Sequence, residues 1–354
     1  MADKRDVISS PTVLKASRRT VILGAGAAAI GLTLDKFGSP AFAQSLKSVK
    51  ASEAAHLGMY VSVYAAKHGG FFKKHGLDVG VSSAGGIALA LPVVMSGNAS
   101  FAITGAGMSV NVANEGAKVA NVAKVVGGVA MWAAAKPGTA IKDINDFKGK
   151  TIATLRFPSS TIQTPTFAMK DRGGFDPEKE GVKFLQLPVG AQAQAVMDGR
   201  ADVATLFEWD LSIAKEQFGL VPVYAFADVI GPLSWTNAIV ERALIDKDPS
   251  VVQAFCDALA EAQAALHADK GELFVKTSIT EFPQVSEAII RSAAANLLGG
   301  STAVPKDPTI SKKEWDTDMA FEIAGGSIKA GRPYEDMVDN SFAEKAAAKV
   351  GKAG

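Results

Sequence analysis

The residues of this chain best suited to recognising another molecule begin with Leu206-Phe207-Glu208-Trp209-Asp210, where two acids and an indole close an apolar run. A carboxylate and an indole N–H are costly to bury alone, so solvent, a neighbour or a bound molecule must serve them. Glu208 can accept hydrogen bonds from ligand N–H groups, while Trp209 or the later Trp235 can stack on a flat or methylated ligand. The plainer alternative pairs Glu208 with an arginine such as Arg156 and gives Asp210 the capping of the next helix. A second group is Ser159-Ser160-Thr161, just ahead of Pro165. Proline suits the first turn of a helix, so a helix is expected to start at about 161–164, with the three hydroxyls at or before its N-terminus. Hydroxyls and free amides there can hold an anion or a carbonyl, although N-capping alone accounts for one of them. Other chemistry is poorly supplied. The four histidines (His56, His68, His75, His267) lack metal-ligand spacing such as HExxH, the single Cys256 cannot build a thiolate site, and no G-x-S-x-G is present. No metal, no cofactor and no catalytic residue are expected.

Several elements must position these groups. "SVKASEA", "LDVGVS" and "ASFAITG" read as strands, separated by the helical runs "YVSVYAAKHGGFFKKHG" and "IALALPVVMSG", with Pro92 marking a start or a kink. In "FFKKHG" the phenylalanines are expected to tuck inward at a solvated helix end. Strands alternating with helices imply parallel pairing and an α/β fold. His56, Met59 and Tyr60 in "HLGMYVS" follow the first strand, where the first strand-to-helix turn opens. Gly85 and Gly86 sit between the second strand and its helix, where the lack of a side chain lets a ligand approach free helix N–H groups or simply permits a tight turn. A phosphate loop is disfavoured because no Gly-Lys-Ser/Thr follows.

A second series starts near Pro137, and one comparison relates the two: "VMSGNASFA" from Val94 and "VMDGRADVA" from Val196 share Val, Met, Gly, Ala and Ala at matching offsets. Each closes a helix with glycine and enters a strand. The match aligns Thr104-Gly105-Ala106 with Leu206-Phe207-Glu208, both at the carboxyl ends of strands, the edge where open α/β sheets bind ligands. Two such edges facing one another make a cleft.

The first 43 residues do not read as part of this fold. Arg18-Arg19 precede a Gly/Ala-rich apolar run, and Ala41 and Ala43 stand ahead of Gln44, the layout of a cleavable export signal. The paired arginines point to the twin-arginine route, with ordinary secretion as the alternative because Val21 replaces the preferred phenylalanine. "GAGAAAIG" imitates a dinucleotide fingerprint but has no strand before it. Without residues 1–43 the chain carries 31 Lys and Arg against 33 Asp and Glu, with no basic stripe, so nucleic acid is not an expected partner. An exported chain with one cysteine has reason to bury it.

The strings "YAAKHGGFFKKHGLDVGV", "INDFKGKTIAT" and "GFDPEKEGVKFLQLPVGAQAQAVMDGRADVATLFEWD", in that order, resemble the SsuA/THI5-like (NMT1-type) periplasmic solute-binding proteins of ABC importers. The likeness runs from about Lys47 to Gly219 and rests on the order of the motifs. It implies a two-lobe clamshell of the type II kind, each lobe a mostly parallel sheet flanked by helices: lobe one from 44–134 and 238–354, lobe two from 135–237. Crossings would fall at "GGVAMWAAAKPG" and "DVIGPLSWTN", whose glycines and prolines suit hinges. The resemblance further implies ligand contacts at Gly85 and Gly86; the carboxyl end of the third strand adds Thr104 and Gly105 as candidates by position. It also implies a monomer in the periplasm that docks transiently on an inner-membrane ABC permease. The solute would be small, polar and organic, of the sulfonate, taurine or nitrate kind or a pyrimidine and thiamine precursor. Glu208 in the cleft argues against nitrate or a bare sulfonate as the whole ligand. The alternatives are a secreted ligand sensor and a THI5-like pyrimidine-forming enzyme; scarce Cys and His and the export signal count against the enzyme. Towards the C-terminus, "DPSVVQAFCDALAEAQAALHAD" is a strong helix capped by Asp248 or Ser250, and the tail from Ser311 reads as charged helix and loop with a frayed end.

Overall fold

Strand and helix signals alternate in the sequence, and two sheets result. The computed structural model describes residues 45–157, 159–299 and 303–353; the export-like segment lies outside them. The first sheet has the order β2-β1-β3-β10-β4, from β1 (Lys47–Glu53), β2 (Leu77–Ser83), β3 (Phe101–Thr104), β4 (Val119–Val126) and β10 (Thr236–Glu241). The second has the order β7-β6-β8-β5-β9, from β5 (Met131–Ala135), β6 (Thr151–Leu155), β7 (Lys183–Leu187), β8 (Val203–Phe207) and β9 (Val221–Ala225). In each sheet the first three strands of that order are parallel, while β10 and β5 run antiparallel to both their neighbours. The sheets therefore share one topology, and each receives its antiparallel strand where the chain has just crossed from the other. The fold is α/β with two lobes.

The parallel strands of lobe one are joined through α1 (Val61–His68) and α2 (Ala90–Met95), and α3 (Ala106–Asn114) follows β3. Pro92 is the third residue of α2, in the first turn, where its missing N–H is harmless. In lobe two α4 (Ser160–Phe167), α5 (Gln192–Met197) and α6 (Asp210–Phe218) follow β6, β7 and β8. After β10 the chain forms α7 (Pro249–Ala268), α8 (Glu272–Glu281), α9 (Glu287–Leu298), α10 (Lys312–Ala324) and α11 (Ser341–Ala353). The strong periodicity of α7 buries Val252, Phe255, Leu259 and Leu266, and Phe255 stacks on Phe101 of β3 at 4.0 Å between centroids. Asp248 precedes α7 without a side-chain cap, and Ser250 donates to its carboxylate instead. Cys256 is fully buried, and burial pushes its thiol up.

The tail departs from the frayed coil expected of it. α11 buries Phe342, Ala343 and Ala346, and Lys349 reaches Asp257 of α7. An apolar stripe inside "SFAEKAAAKV" supplies that packing. Neighbouring segments also cover β4, an edge strand with every residue buried: Lys124 N–H donates to the Pro308 carbonyl, and Asp339 N–H to Asn121. Among the described residues no helix is long and apolar enough to cross a membrane.

Candidate functional site

In lobe one, three turns leave the carboxyl ends of parallel strands. Behind β1, buried Glu53 accepts hydrogen bonds from the Tyr64 hydroxyl at 2.6 Å and from His56 Nδ1 at 2.8 Å. Burial pushes the Glu53 carboxyl up, and those two donors oppose the shift. The His56 ring packs on Phe282 at 4.4 Å between centroids, so its orientation is set from both sides. Met59 and Tyr60 are buried in the turn Gly58–Tyr60, and the Tyr60 hydroxyl bonds to Thr236 of β10. Of the three residues expected at this turn, only His56 keeps substantial exposure.

Behind β2, Gly85 has φ of 81°, a left-handed conformation that glycine adopts at no steric cost. Helix α2 does not start until Ala90, so the glycine pair precedes the helix by a further turn and does not open directly onto its free N–H groups. Thr104 is fully buried at the end of β3, and its hydroxyl donates to the Ile87 carbonyl at 2.8 Å, which ties this turn to the neighbouring strand. Behind β3, Gly105 caps α3 in an extended conformation. A Cβ there would lie 3.4 Å from Glu322 Oε1 of α10 and 3.6 Å from the carbonyl of Trp235, whose own ring is buried at the start of the returning strand.

Lobe two builds its edge differently. Ser159 caps α4, its hydroxyl accepting the Thr161 N–H at 3.2 Å, and Thr161 Oγ1 accepts the Leu155 N–H at 2.8 Å. Two of the three expected hydroxyls thus stitch strand to helix, and Ser160 is the first helical residue. The helix starts earlier than proline placement suggested, with Pro165 inside it. The cap at Ser159 secures the first turn, and beyond Phe167 the ladder passes into a π-type turn over Ala168–Arg172.

Glu208 is almost fully buried and already partnered. It accepts from Ser212 Oγ at 3.1 Å, Ser212 N–H at 3.2 Å and Asn296 Nδ2 at 2.6 Å. Burial pushes this carboxyl up and the three donors oppose it. The plainer alternative does not hold: the donors to Glu208 come from α6 and α9 and not from Arg156, and Asp210 is the first residue of α6 while the Ser212 N–H of its first turn donates to Glu208. A carboxylate two residues before the helix reaches the N–H of its third residue, a geometry that the spacing Glu208-x-x-x-Ser212 allows.

Trp209 is where the lobes touch. A Cβ on Gly58 would come within 2.5 Å of its indole, and the ring meets the edges of Phe282 and Phe274 at 5.1 and 6.3 Å. Its buried Nε1 has no hydrogen-bond partner. Further along, Gln163 of α4 donates to the Gly325 carbonyl and to Ser327 Oγ at 3.1 and 3.0 Å. The structure therefore brings Trp209 onto the His56–Tyr60 turn and Trp235 onto Gly105, and leaves Gly85-Gly86 and Ser159-Ser160-Thr161 on separate lips.

Those lips carry large apolar side chains that face water. Ile87 and Leu89 are 54% and 51% exposed behind β2, and Phe157 and Val189 are 59% and 76% exposed behind β6 and β7. All four follow the carboxyl ends of parallel strands. A separate cavity of about 360 Å³ lies among α7, α8 and α9, lined by Leu266, His267, Val275, Arg291 and Leu298; no residue of the second sheet reaches it.

Sequence reasoning missed Gly58, the Glu53–His56–Tyr64 cluster and Glu322. Local signals existed for Glu53, an acid ending a strand with His56 three residues on, and for Glu322, an acid within an apolar stripe that also holds Asp318. Residues 57–272 match the family model described as NMT1/THI5 like. The binding protein YtlA of Bacillus subtilis is 24% identical over 305 residues, 85% of this chain and 90% of YtlA. Two solved structures share the fold. The periplasmic sulfonate-binding protein SsuA of Methylobacillus flagellatus superposes with a TM-score of 0.67 at 18% identity, covering 88% of this chain and 97% of its own. The periplasmic nitrate-binding protein NrtA of Synechocystis gives 0.62 at 14% identity, covering 86% and 89%.

Proposed function

Because this chain belongs to the NMT1/THI5-like family, we propose that it is an exported solute-binding protein that captures a small organic solute between its lobes and delivers it to an ABC importer. The observation that carries the reading is the pair of matching sheet edges: Trp209 of one lobe rests on Gly58 of the other, beside turns that expose Ile87, Leu89, Phe157 and Val189. A solute lodged there contacts both half-sites at once, so binding energy is realised only when the lobes come together, and closure reports occupancy to a permease. Candidate contacts are His56, the Gly85-Gly86 turn, Gly105, the Ser159–Thr161 helix start and the indole N–H of Trp209. The exposed apolar residues favour a solute with an apolar or aromatic body over a bare inorganic anion. The relatives named for sulfonate and nitrate bring those compounds into the first panel of ligands. Glu208 drops from the contact set, since its oxygens already serve Ser212 and Asn296.

Delivery needs no bond to be made or broken, so solute should be recovered unchanged. The test is a thermal-shift screen over sulfonates, nitrate, amines, pyrimidines and small carboxylates, with recovery of each stabilising compound by mass spectrometry. A binding protein gives a melting temperature that rises with the logarithm of solute concentration, equivalent to about 2.7 kcal/mol of added stability at a hundred times Kd, with the compound intact. Conversion of the compound would instead establish an enzyme.

A further inference from the structure

Helix α10 carries two acids one turn apart on its buried face. Asp318 is fully buried, and neither of its carboxylate oxygens has a hydrogen-bond partner among the described residues. Glu322 is 7% exposed and lies against the first turn of α3: a Cβ on Gly107 would come within 2.9 Å of its carboxyl carbon, and one on Gly105 within 3.4 Å of Oε1. Glycine at those two positions leaves the space the acid occupies. The groups placed against Glu322 are uncharged: Gly105 and Gly107 of α3 and the Ser327 hydroxyl beyond the helix. Burial pushes both carboxyls up; the charge of Glu322 adds to the effect on Asp318, while the Ser327 hydroxyl opposes it on Glu322.

Resting on the solute-binding reading, we infer that Glu322 is a solute contact, with Asp318 as its positioning partner, and that the pair selects a cationic nitrogen group, an ammonium or amidinium, carried on an apolar body. The start of α3 lies beside the candidate contact Gly105, and its first-turn N–H groups, which have no partner within the helix, would attract an anionic solute if nothing else stood there. An acid built into that place repels such a solute. In a poorly solvated setting an acid with few partners is compensated best by a cation bearing N–H donors. Apolar lips at Ile87 and Phe157 supply contact for the rest of the molecule. Both acids lie outside the stretch 57–272 matched by the family, so membership alone does not assign them.

The test is a thermal-shift and tryptophan-fluorescence screen of the full chain. It uses sets matched in apolar body and different in charge, such as benzylamine, benzamidine, benzyl alcohol and phenylmethanesulfonate. Each stabilising compound is then titrated against Glu322→Gln and Asp318→Asn. Stabilisation by the cationic members, weakened about tenfold or more in Glu322→Gln, supports the inference. Binding of anionic members in their place, or cationic binding unchanged in both variants, overturns it and leaves solute binding intact. If no compound in this or the broader panel binds, both readings fall together. Should a variant not fold, the pH dependence for benzamidine, whose amidinium stays protonated over the range and keeps its N–H donors, replaces it. Affinity must then fall as pH is lowered and the pair takes up protons; a flat profile overturns the inference.

Discussion

Lobe two ends its third strand with its own acid, whereas lobe one borrows one from far along the chain. Aligning Val94 with Val196 also places Ala106 on Glu208, Gly107 on Trp209 and Ile87 on Val189. In lobe two the acid and the indole are local: Glu208 caps α6, and Trp209 crosses to the other lobe. In lobe one the matching residues are small, and the room they leave is taken by Glu322 of α10. The difference lies in how well each acid is satisfied. Glu208 has three donors, while Asp318 beside Glu322 has none. A satisfied buried acid serves structure, and an unsatisfied one is a place where a guest can contribute.

Substitutions can break this contrast, starting with the largest effect. Trp209→Ala should cost about 3 kcal/mol in urea unfolding, as expected for removing a large packed aromatic. It should also weaken any solute bound between the lobes; unchanged stability would mean that the lobe contact contributes little. Glu208→Ala leaves Asn296 Nδ2 and the Ser212 N–H without this acceptor and should cost about 2 kcal/mol of stability while changing solute affinity little. Affinity loss without loss of stability would return Glu208 to the ligand. Gly107→Ala forces the Glu322 carboxyl aside and should cost about 1–2 kcal/mol, whereas Ala106→Gly, also at the start of α3, should cost less than that.

Asp318→Asn sharpens the comparison through pH. A carboxyl held above its unfolded value contributes stability that is fully present below about pH 4 and is lost as pH rises through the raised folded pKa. The amide has no proton to lose. The melting temperature of Asp318→Asn relative to wild type should therefore climb as pH rises above about 4, the unfolded value. A constant difference would show that Asp318 does not titrate there. The smallest stability effects belong to the lips. Phe157→Ser and Val189→Ser should change unfolding free energy by less than about 0.5 kcal/mol, because both side chains are exposed. Each should nevertheless weaken binding of an apolar-bodied solute by about 1 kcal/mol, measured by calorimetry.

The sequence shows these regions unequally. Alternating strands and helices and the internal match at Val94 and Val196 are local signals, which is why an α/β fold could be read from them, whereas the clamshell and its two crossings came from the family resemblance. The site was harder because its partners meet across long separations. The Glu208 donor Asn296 lies 88 residues away, and the indole that needs Gly58 belongs to the other sheet. The tail looked charged and peripheral, yet Trp315, Asp318, Met319 and Glu322 share one buried face of α10. Two acids inside an apolar stripe were the available signal, hidden by the charged residues around them. Pro165 misled for another reason: a firm cap at Ser159 starts α4 early, with the proline inside the helix.

Everything rests on solute binding between two lobes that move together, and one distance measurement tests it most directly. Asn98 and Arg200 are exposed, on opposite lobes, and the native Cys256 is fully buried, so spin labels at Asn98→Cys and Arg200→Cys report lobe separation cleanly. Adding a stabilising solute should shift the distance distribution and narrow it to a single closed population. Saturation with that solute while the distribution stays unchanged would contradict the account and place the solute elsewhere.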